Sequence, residues 1–127
     1  FIDGVDFDFE FPGGAGHDKD VGDPSIDGAN YNAFIIETRQ MFDRVNEETG
    51  RNLLLTMAIG VGPLKLDNWA QSAQISEIMP ALDRLGLMTY DFSGSWETET
   101  WFNAPLRAPE GGPGGGRYST LEFRHGL

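Results

Sequence analysis

The sequence lacks cysteine altogether, which excludes disulfide bonds and thiolate metal ligands. Basic residues are scarce: nine Lys and Arg stand against 20 Asp and Glu, for a formal net charge of −11. Because phosphate binding requires clustered Lys and Arg, this composition argues against a nucleic-acid partner. The acidic balance fits a neutral or cationic partner, or simply keeps the protein soluble. No apolar run approaches the roughly 20 residues of a transmembrane helix, so we expect no membrane partner.

The first residue is Phe rather than Met, and it lies at or inside a predicted strand. We therefore expect residues 1–127 to be one partial domain of a longer protein, so the lack of a visible signal peptide says nothing about localisation. The length is about that of one ordinary domain. The hydrophobic fraction of 39% and the aromatic fraction of 12% are typical of a globular core.

Acidic and apolar residues alternate in the opening segment FIDGVDFDFEF, and a period of two predicts a strand over residues 1–11. One face carries the apolar residues Val5, Phe7, Phe9 and Phe11. The other carries the three acids Asp6, Asp8 and Glu10, with Glu10 at the carboxyl end of the strand. Same-face neighbours in a strand lie about 6.6 Å apart. Carboxyl groups this close, and partly desolvated, are not expected all to stay ionised, so the sequence predicts one acid that is protonated near neutral pH beside an ionised one.

Periodicity and turn residues predict the remaining elements. They are a loop over 12–28, a helix over 29–49 capped by Gly50, a fully buried strand within 51–63, one or two short helices over 67–82, and a third strand over 86–92. Asp67 is the predicted N-cap of the short helices, and Pro80 interrupts them. The core face of the long helix is predicted to carry Tyr31, Phe34, Ile35, Thr38, Phe42 and Val45.

Strands that alternate with helices predict a parallel sheet in an α/β fold, and three strands with two crossovers indicate a part of a larger barrel or doubly wound sheet. Met88, Tyr90 and Asp91 stand on or just after the third strand. Because the carboxyl ends of parallel strands meet at one edge, we expect Tyr90 and Asp91 at the same mouth as Glu10. A protonated acid beside an ionised one is the pairing that cleaves glycosidic bonds.

Other interpretations of the acids remain open on the residues alone. The three strand acids could form a solvated face, bind a divalent cation or pair with Arg or Lys from elsewhere. The loop acids Asp18, Asp20, Asp23 and Asp27 lack the ligand order of an EF-hand, which favours a solvated loop over a calcium site.

Two motifs resemble those of family 18 glycoside hydrolases, the chitinases and their relatives. DGVDFDFE, residues 3–10, resembles the DGxDxDxE signature of the fourth barrel strand, and LMTYDF, residues 87–92, resembles the Met-x-Tyr-Asp motif of the sixth. LLLTMAIGVGP is similar to the fifth strand, and NAPL, residues 103–106, to the loop after the sixth in bacterial-type enzymes. The resemblance implies a (β/α)8 TIM barrel of which this α/β chain supplies about strands four to six.

The resemblance also implies the reaction, a retaining, substrate-assisted hydrolysis of β-1,4-linked N-acetylglucosamine polymers without a protein nucleophile. Glu10 would be the general acid and base, Asp8 would orient the acetamido group of the substrate, and Asp6 would share a proton with Asp8. Tyr90 would donate to the acetamido carbonyl, and Asp91 would hydrogen-bond the sugar. Met88 is expected to line the pocket floor, and Trp96 to stack on a sugar on the leaving-group side or to pack under a loop.

No metal or organic cofactor is expected, and Asp3, Trp69 and Trp101 are expected to be structural, while His17 and His125 carry no predicted role. The expected partner is chitin or a chito-oligosaccharide, and the family resemblance implies a secreted, extracellular, monomeric enzyme. Two alternatives remain: a non-catalytic chitin-binding, lectin-like barrel, and an endo-β-N-acetylglucosaminidase acting on glycoprotein glycans. The isolated 127 residues are expected to be unstable and inactive because their sheet edges are unpaired.

Overall fold

The computed structural model of the chain describes residues 2–18, 20–107, 110–112 and 118–120. The described residues form three strands and two α-helices in the order β1 (Gly4–Phe7), α1 (Asp27–Thr49), β2 (Leu54–Gly60), α2 (Pro63–Ala70) and β3 (Arg84–Met88). Two short 3-10 helices, Ile75–Glu77 and Met79–Ala81, connect α2 to β3. The predicted order of strands and helices is confirmed.

The three strands form one parallel sheet with β2 in the centre. Phe7 stands opposite Met57 at the end of the first ladder, and Met88 stands opposite Gly60 at the end of the second. Parallel strands require crossover connections, which α1 and the α2 segment supply here. All three strands consequently end at one edge of the sheet, which we call the carboxyl edge.

The core lies on the side of the sheet that faces the helices. Ile35 of α1, Leu55 of β2 and Ile78 between the 3-10 helices are fully buried, at 0% exposure. Alternate residues of β2 point into this core, whereas Leu54 is 40% exposed on the other side. The prediction that this strand is buried on both faces is therefore wrong for the described residues. The run LLLTMAIG is continuously apolar, but its side chains divide between two different environments.

Helix α1 ends where the sequence predicted. Gly50 adopts a left-handed backbone (φ 67°), and its N–H donates to the carbonyl oxygen of Asn46 at 2.8 Å. Glycine enters this conformation without a Cβ penalty, which explains why the helix stops here. The start differs by two residues, since the helix begins at Asp27 rather than at residue 29.

The buried face of α1 is more polar than predicted. Asn32 is 3% exposed and accepts a hydrogen bond from the indole N–H of Trp69 at 3.0 Å, while its own amide donates to Glu77 and to the carbonyl oxygen of Gln74. Phe34, predicted to be in the core, is 47% exposed. A buried amide is stable only when it is hydrogen-bonded, and partners contributed by two distant segments allow Asn32 a core position.

Several predicted boundaries are corrected. Strand β1 ends at Phe7, so Asp8 and Glu10 lie just beyond it although the alternation of residue types continues. Strand β3 ends at Met88, so Tyr90 and Asp91 also follow their strand. Asp67 lies inside α2, which begins at Pro63 after an extended Gly62. Proline favours the first turn of a helix because its missing N–H is not needed there, and this preference decides the start of α2.

Candidate active site

The first group of predicted site residues follows β1 at the carboxyl edge. Asp6 lies within the strand, and its carboxylate accepts a hydrogen bond from the hydroxyl of Thr56 on β2. Phe7 and Phe9 pack against aromatic rings of α1, which confirms that the apolar half of the segment faces the helices. The peptide bond between Glu10 and Phe11 is cis. Asp3 is exposed at the start of the segment, with Arg51 3.7 Å from its carboxylate.

The loop after β1 is held in place by Asp27, the first residue of α1. Its carboxylate oxygen Oδ2 accepts hydrogen bonds from the backbone N–H groups of Gly13 at 3.1 Å and Asp23 at 2.7 Å. Asn68 of α2 donates to the Gly13 carbonyl oxygen at 3.1 Å. Two helices thus fasten a loop that is rich in glycine and aspartate. Asp27 serves as a structural anchor, and the loop acids satisfy backbone groups in the way a solvent-exposed loop requires.

Glu10 lines a cavity of about 630 Å³ between the end of β1 and this loop, which we call the Glu10 cavity. Phe9, Phe11 and His17 contribute to its walls. A second cavity of about 600 Å³, the Tyr90 cavity, is lined by Met88, Tyr90, Asp91 and Trp96 among others. Gly16 and His17 line both cavities, so the two adjoin at the carboxyl edge.

The Tyr90 cavity presents two exposed aromatic side chains. Tyr90 is 52% exposed and Trp96 is 64% exposed. The ring of Trp96 lies directly over Gly94, since a Cβ at that glycine would come within 2.4 Å of the Trp96 ring atoms Cη2 and Cζ3. Trp96 therefore presents an exposed ring to the Tyr90 cavity. A large, exposed ring is suited to stacking on the apolar face of a sugar.

Asp91 is oriented by Asn103, a residue to which the sequence assigned no individual role. Asp91 has a left-handed backbone (φ 53°), a conformation that aspartate tolerates better than most residues. The side-chain amide of Asn103 donates to Asp91 Oδ1 at 2.9 Å, and the Asn103 carbonyl oxygen accepts from the Phe92 N–H at 2.8 Å. Asn103 of the NAPL segment thus holds Asp91 and its neighbour Phe92 in place through one side-chain and one backbone hydrogen bond.

Lys65 of α2 lies between the two groups of acids. Its ammonium nitrogen stands 3.9 Å from the centre of the Phe11 ring, a cation–π contact, and the side chain lines the Tyr90 cavity. Burial lowers the pKa of Lys65, while the negative charges of Glu10 and Asp91 act in the opposite direction. The charge of Lys65 therefore responds to both acids, which links the end of β1 to the end of β3.

The negative charges of the strand acids also affect a residue of α1, Tyr31. Burial raises the pKa of Tyr31 to about 12, and the charges of Asp8 and Asp6 add to the shift. The Tyr31 hydroxyl is buried without a hydrogen-bond partner among the described residues. This tyrosine therefore stays neutral and contributes an aromatic surface, packed edge-on against Trp69 at 5.4 Å.

The structure brings Met88, Tyr90, Asp91 and Trp96 together in one cavity, and it sets Glu10 in the adjoining one. Asp6 and Asp8 line neither of these two cavities. Trp69 is in the core at 3% exposure, as predicted, and Trp101 packs edge-on against Phe102 at 6.1 Å. His125 lies outside the described residues.

Three positions at the site were missed from the sequence. They are His17, Lys65 and Asn103. The NAPL motif was a signal for Asn103, but nothing local marks Lys65, an ordinary charged residue within a helix. Among the residues that the structure covers, no group of three or more His, Asp or Glu has the arrangement of a metal site. No helix in the same part of the chain is long and apolar enough to cross a membrane.

Comparison with known proteins gives a consistent result. Glycosyl hydrolases family 18 matches residues 2–123. Chitinase A of Pseudoalteromonas piscicida is 48% identical over 101 residues, which cover 79% of this chain and 12% of that protein. A solved family 18 N-acetylglucosaminidase from Paenibacillus barengoltzii superimposes with a TM-score of 0.74 at 32% identity, over 87% of this chain and 31% of the other.

A solved chitinase from Bacillus thuringiensis gives a TM-score of 0.81 at 28% identity, over 97% of this chain and 19% of the other. The chain thus spans only a minor part of the length of each of these relatives. Because the family match extends over nearly every residue, and because the signature acids and the Tyr-Asp pair stand at one edge of a parallel sheet, this chain belongs to glycosyl hydrolase family 18.

Proposed function

We propose that the protein is a chitinase that hydrolyses β-1,4 linkages between N-acetylglucosamine units with retention of configuration. The observation that carries the proposal is the position of Glu10 beside the Tyr90 cavity, with Lys65 responding to the charges of both Glu10 and Asp91. A proton donor, an aromatic platform and polar side chains converge there, as a glycosidase requires. The similarity to chitinases supports the same substrate class.

In the proposed reaction, Glu10 donates its proton to the oxygen that links two sugars. The carbonyl oxygen of the substrate's own acetamido group attacks C1, the bond from C1 to the leaving oxygen breaks, and a cyclic oxazolinium ion forms. Asp8 orients the acetamido group and its negative charge stabilises that cation, with Asp6 sharing a proton with Asp8. Water then adds to C1, gives a proton to Glu10 and restores the acetamido group.

The remaining site residues hold the substrate in this proposal. Tyr90 donates its hydroxyl to the acetamido carbonyl, and Asp91, fixed by Asn103, hydrogen-bonds the sugar. Met88 forms the floor, and Trp96 stacks on the sugar that leaves. Preorganised donors of this kind act without reorganisation during the reaction, which makes them effective.

We further propose that β1, β2 and β3 are strands four, five and six of a (β/α)8 barrel. The parallel order and the two crossovers support this assignment, as does the position of the acidic signature on the first of the three strands. The acids would then point into the barrel and the aromatic residues toward the helices. Secretion and a monomeric state are proposed on the family resemblance alone.

Replacement of the acid tests the proposal. In the protein expressed from its complete reading frame, Glu10→Gln is expected to abolish hydrolysis of chito-oligosaccharides while binding persists, because the amide keeps the shape of the side chain but has no proton to donate. Glu37→Gln, at an exposed position of α1, is the matched control and is expected to retain full activity. Hydrolysis and binding are measured by product chromatography and calorimetry with chitotetraose.

Unchanged turnover in Glu10→Gln would overturn the catalytic assignment. A wild-type protein that binds chitotetraose without cleaving it would identify the lectin-like alternative. Cleavage of glycoprotein glycans in preference to chito-oligosaccharides would identify the endo-β-N-acetylglucosaminidase alternative.

A further inference from the structure

Lys65 has an unusual environment for a lysine. Its side chain is half-buried, and its ammonium group stands over the ring of Phe11 rather than in open solvent. Phe11 itself is buried at 8% exposure. Lysine side chains are among the least often buried because their charge is strongly hydrated, so a half-buried ammonium group needs a compensating partner.

The end of β2 makes this arrangement possible. Gly60 has no side chain, and a Cβ there would come within 2.6 Å of both Lys65 Cδ and Phe11 Cε1. The lysine stem and the phenylalanine ring therefore cross directly over the backbone of the central strand. This close approach holds the ammonium group between the ends of β1 and β3.

The described residues offer the Lys65 ammonium group no hydrogen-bond acceptor. Within the described part of the chain, the Lys65 ammonium group forms no hydrogen bond and no ion pair within 4.0 Å; its contact is the Phe11 ring. Its three N–H donors remain available in a cavity that also contains Tyr90 and Trp96. A ligand with uncharged oxygen acceptors would satisfy them.

We propose that Lys65 is a specificity-determining residue that accepts an N-acetylated sugar, and rejects a protonated amino sugar, on the leaving-group side of the cleaved bond. The proposal rests on the proposed function, because Trp96 marks that side. An N-acetylglucosamine unit there offers hydroxyl and carbonyl oxygens to the ammonium group. A deacetylated unit brings its own positive charge, which the positive charge of Lys65 repels.

The positive charge of Lys65 offsets the negative charges of the acids at the site. Glu10, Asp91 and Glu97 are acidic, and a cleft with these acids alone would attract a cationic sugar. Lys65 offsets that attraction where the leaving sugar binds. Removal of its charge should therefore raise the share of cationic sugars bound at this position rather than merely weaken all binding.

The experiment compares Lys65→Met with the wild-type protein, both expressed from the complete reading frame, on partially deacetylated chitin. Methionine preserves an unbranched stem against Phe11 but carries no charge. Because the leaving sugar becomes the new non-reducing end, mass spectrometry of the products reads out that position directly. We expect the fraction of glucosamine at new non-reducing ends to rise about tenfold in Lys65→Met, as expected for loss of a charged interaction.

Two further variants serve as controls. Lys65→Arg keeps the charge and is expected to restore the wild-type product pattern. Arg44→Met removes one positive charge from an exposed position of α1 and is expected to leave the pattern unchanged. Thermal melts of all variants establish that they are folded, and Lys65→Gln provides a second neutral replacement if Lys65→Met does not fold.

An unchanged fraction of glucosamine at new non-reducing ends in both neutral variants would overturn the role of Lys65. Failure of the proposed function has a different signature. Glucosamine at the new reducing ends would show that no acetamido group is needed for attack on C1, whatever Lys65 does.

Discussion

The two sides of the sheet use the same strand for different purposes. On the helix side, Leu55 and Met57 of β2 are buried at 0% and 1% exposure among apolar residues of α1 and α2. On the opposite side, Thr56 lies between them in the sequence and donates a hydrogen bond to Asp6. Neighbouring residues of β2 thus lie in two different environments. One side of this apolar strand packs into the core, and the other side contacts an acid of the signature segment.

This difference explains how an acidic segment is tolerated. Phe7 and Phe9, which alternate with the acids in the chain, contact aromatic rings of α1. The aromatic contacts stabilise the segment, which leaves the acids free for a functional role. Stability and activity should therefore respond to different substitutions, even at adjacent positions.

The strongest test of this separation uses adjacent residues of β2. Leu55→Ala removes a fully buried side chain, and we expect it to lower the free energy of unfolding by about 2 to 5 kcal/mol while the folded protein keeps its turnover. Thr56→Val removes only the hydroxyl that donates to Asp6. We expect it to reduce kcat about tenfold with little change in stability.

Denaturant titration and initial rates on chitotetraose measure both quantities in the protein expressed from its complete reading frame. Equal losses of stability in the two variants would show that the two sides of the sheet are not energetically separate.

A second test concerns Asp91 at the carboxyl edge of the sheet. Asn103→Leu removes the donor to Asp91 while keeping a similar side-chain volume, and we expect kcat/KM to fall about tenfold because the carboxylate loses its orientation. Asn30→Leu on the exposed face of α1 is the matched control and should leave kcat/KM unchanged. Wild-type kinetics in Asn103→Leu would mean that the backbone alone positions Asp91.

The smallest expected effect concerns the ionisation of Tyr31, whose pKa is raised in part by charges on the other side of the sheet. The pKa of Tyr31 is raised to about 12 from 10.0, first by burial and then by the charges of Asp8 and Asp6. Because the unfolded tyrosine ionises at lower pH than the folded one, its contribution to stability is complete below pH 10 and is lost as the pH rises toward 12. The loss should be on the order of 1 kcal/mol.

Unfolding free energies at pH 9 and pH 11 measure this effect, and Tyr31→Phe should remove that part of the pH dependence. At neutral pH the same variant should be as stable as the wild-type protein, because the hydroxyl has no partner among the described residues. An alkaline loss that is the same in both proteins would assign it to other groups.

Much of the fold could be predicted because its signals are local. The position of Gly50 and the order of elements depend on neighbours within a few residues, and the structure confirms them, whereas the strand predicted over residues 1–11 is confirmed only for Gly4–Phe7. Boundaries were less accurate where two local signals compete. Pro63 sets the start of α2, whereas Asp67 offered an N-cap only by residue type.

The sequence predicted that the acids and the Tyr-Asp pair lie at one edge of the sheet, where the structure places them, but it did not indicate the residues that contact them. Lys65 reaches the mouth only because Gly60 leaves room beside the central strand, a fact of three-dimensional packing that no spacing in the sequence reveals. Asn32 was missed for a similar reason, since its hydrogen-bond partners come from a segment more than 30 residues away. Sequence patterns do not reveal hydrogen bonds between segments this far apart.

The backbone pairing of Phe92 with Asn103 has a consequence for how the family can diversify. It closes residues 93–102 into a loop whose two ends are fixed together, so the length of the loop can change without moving Asp91. Loop closure costs little more as a loop grows, and surface loops tolerate insertion. Insertions and deletions in this loop can therefore change the shape of the Tyr90 cavity near Trp96 while Asp91 keeps its position.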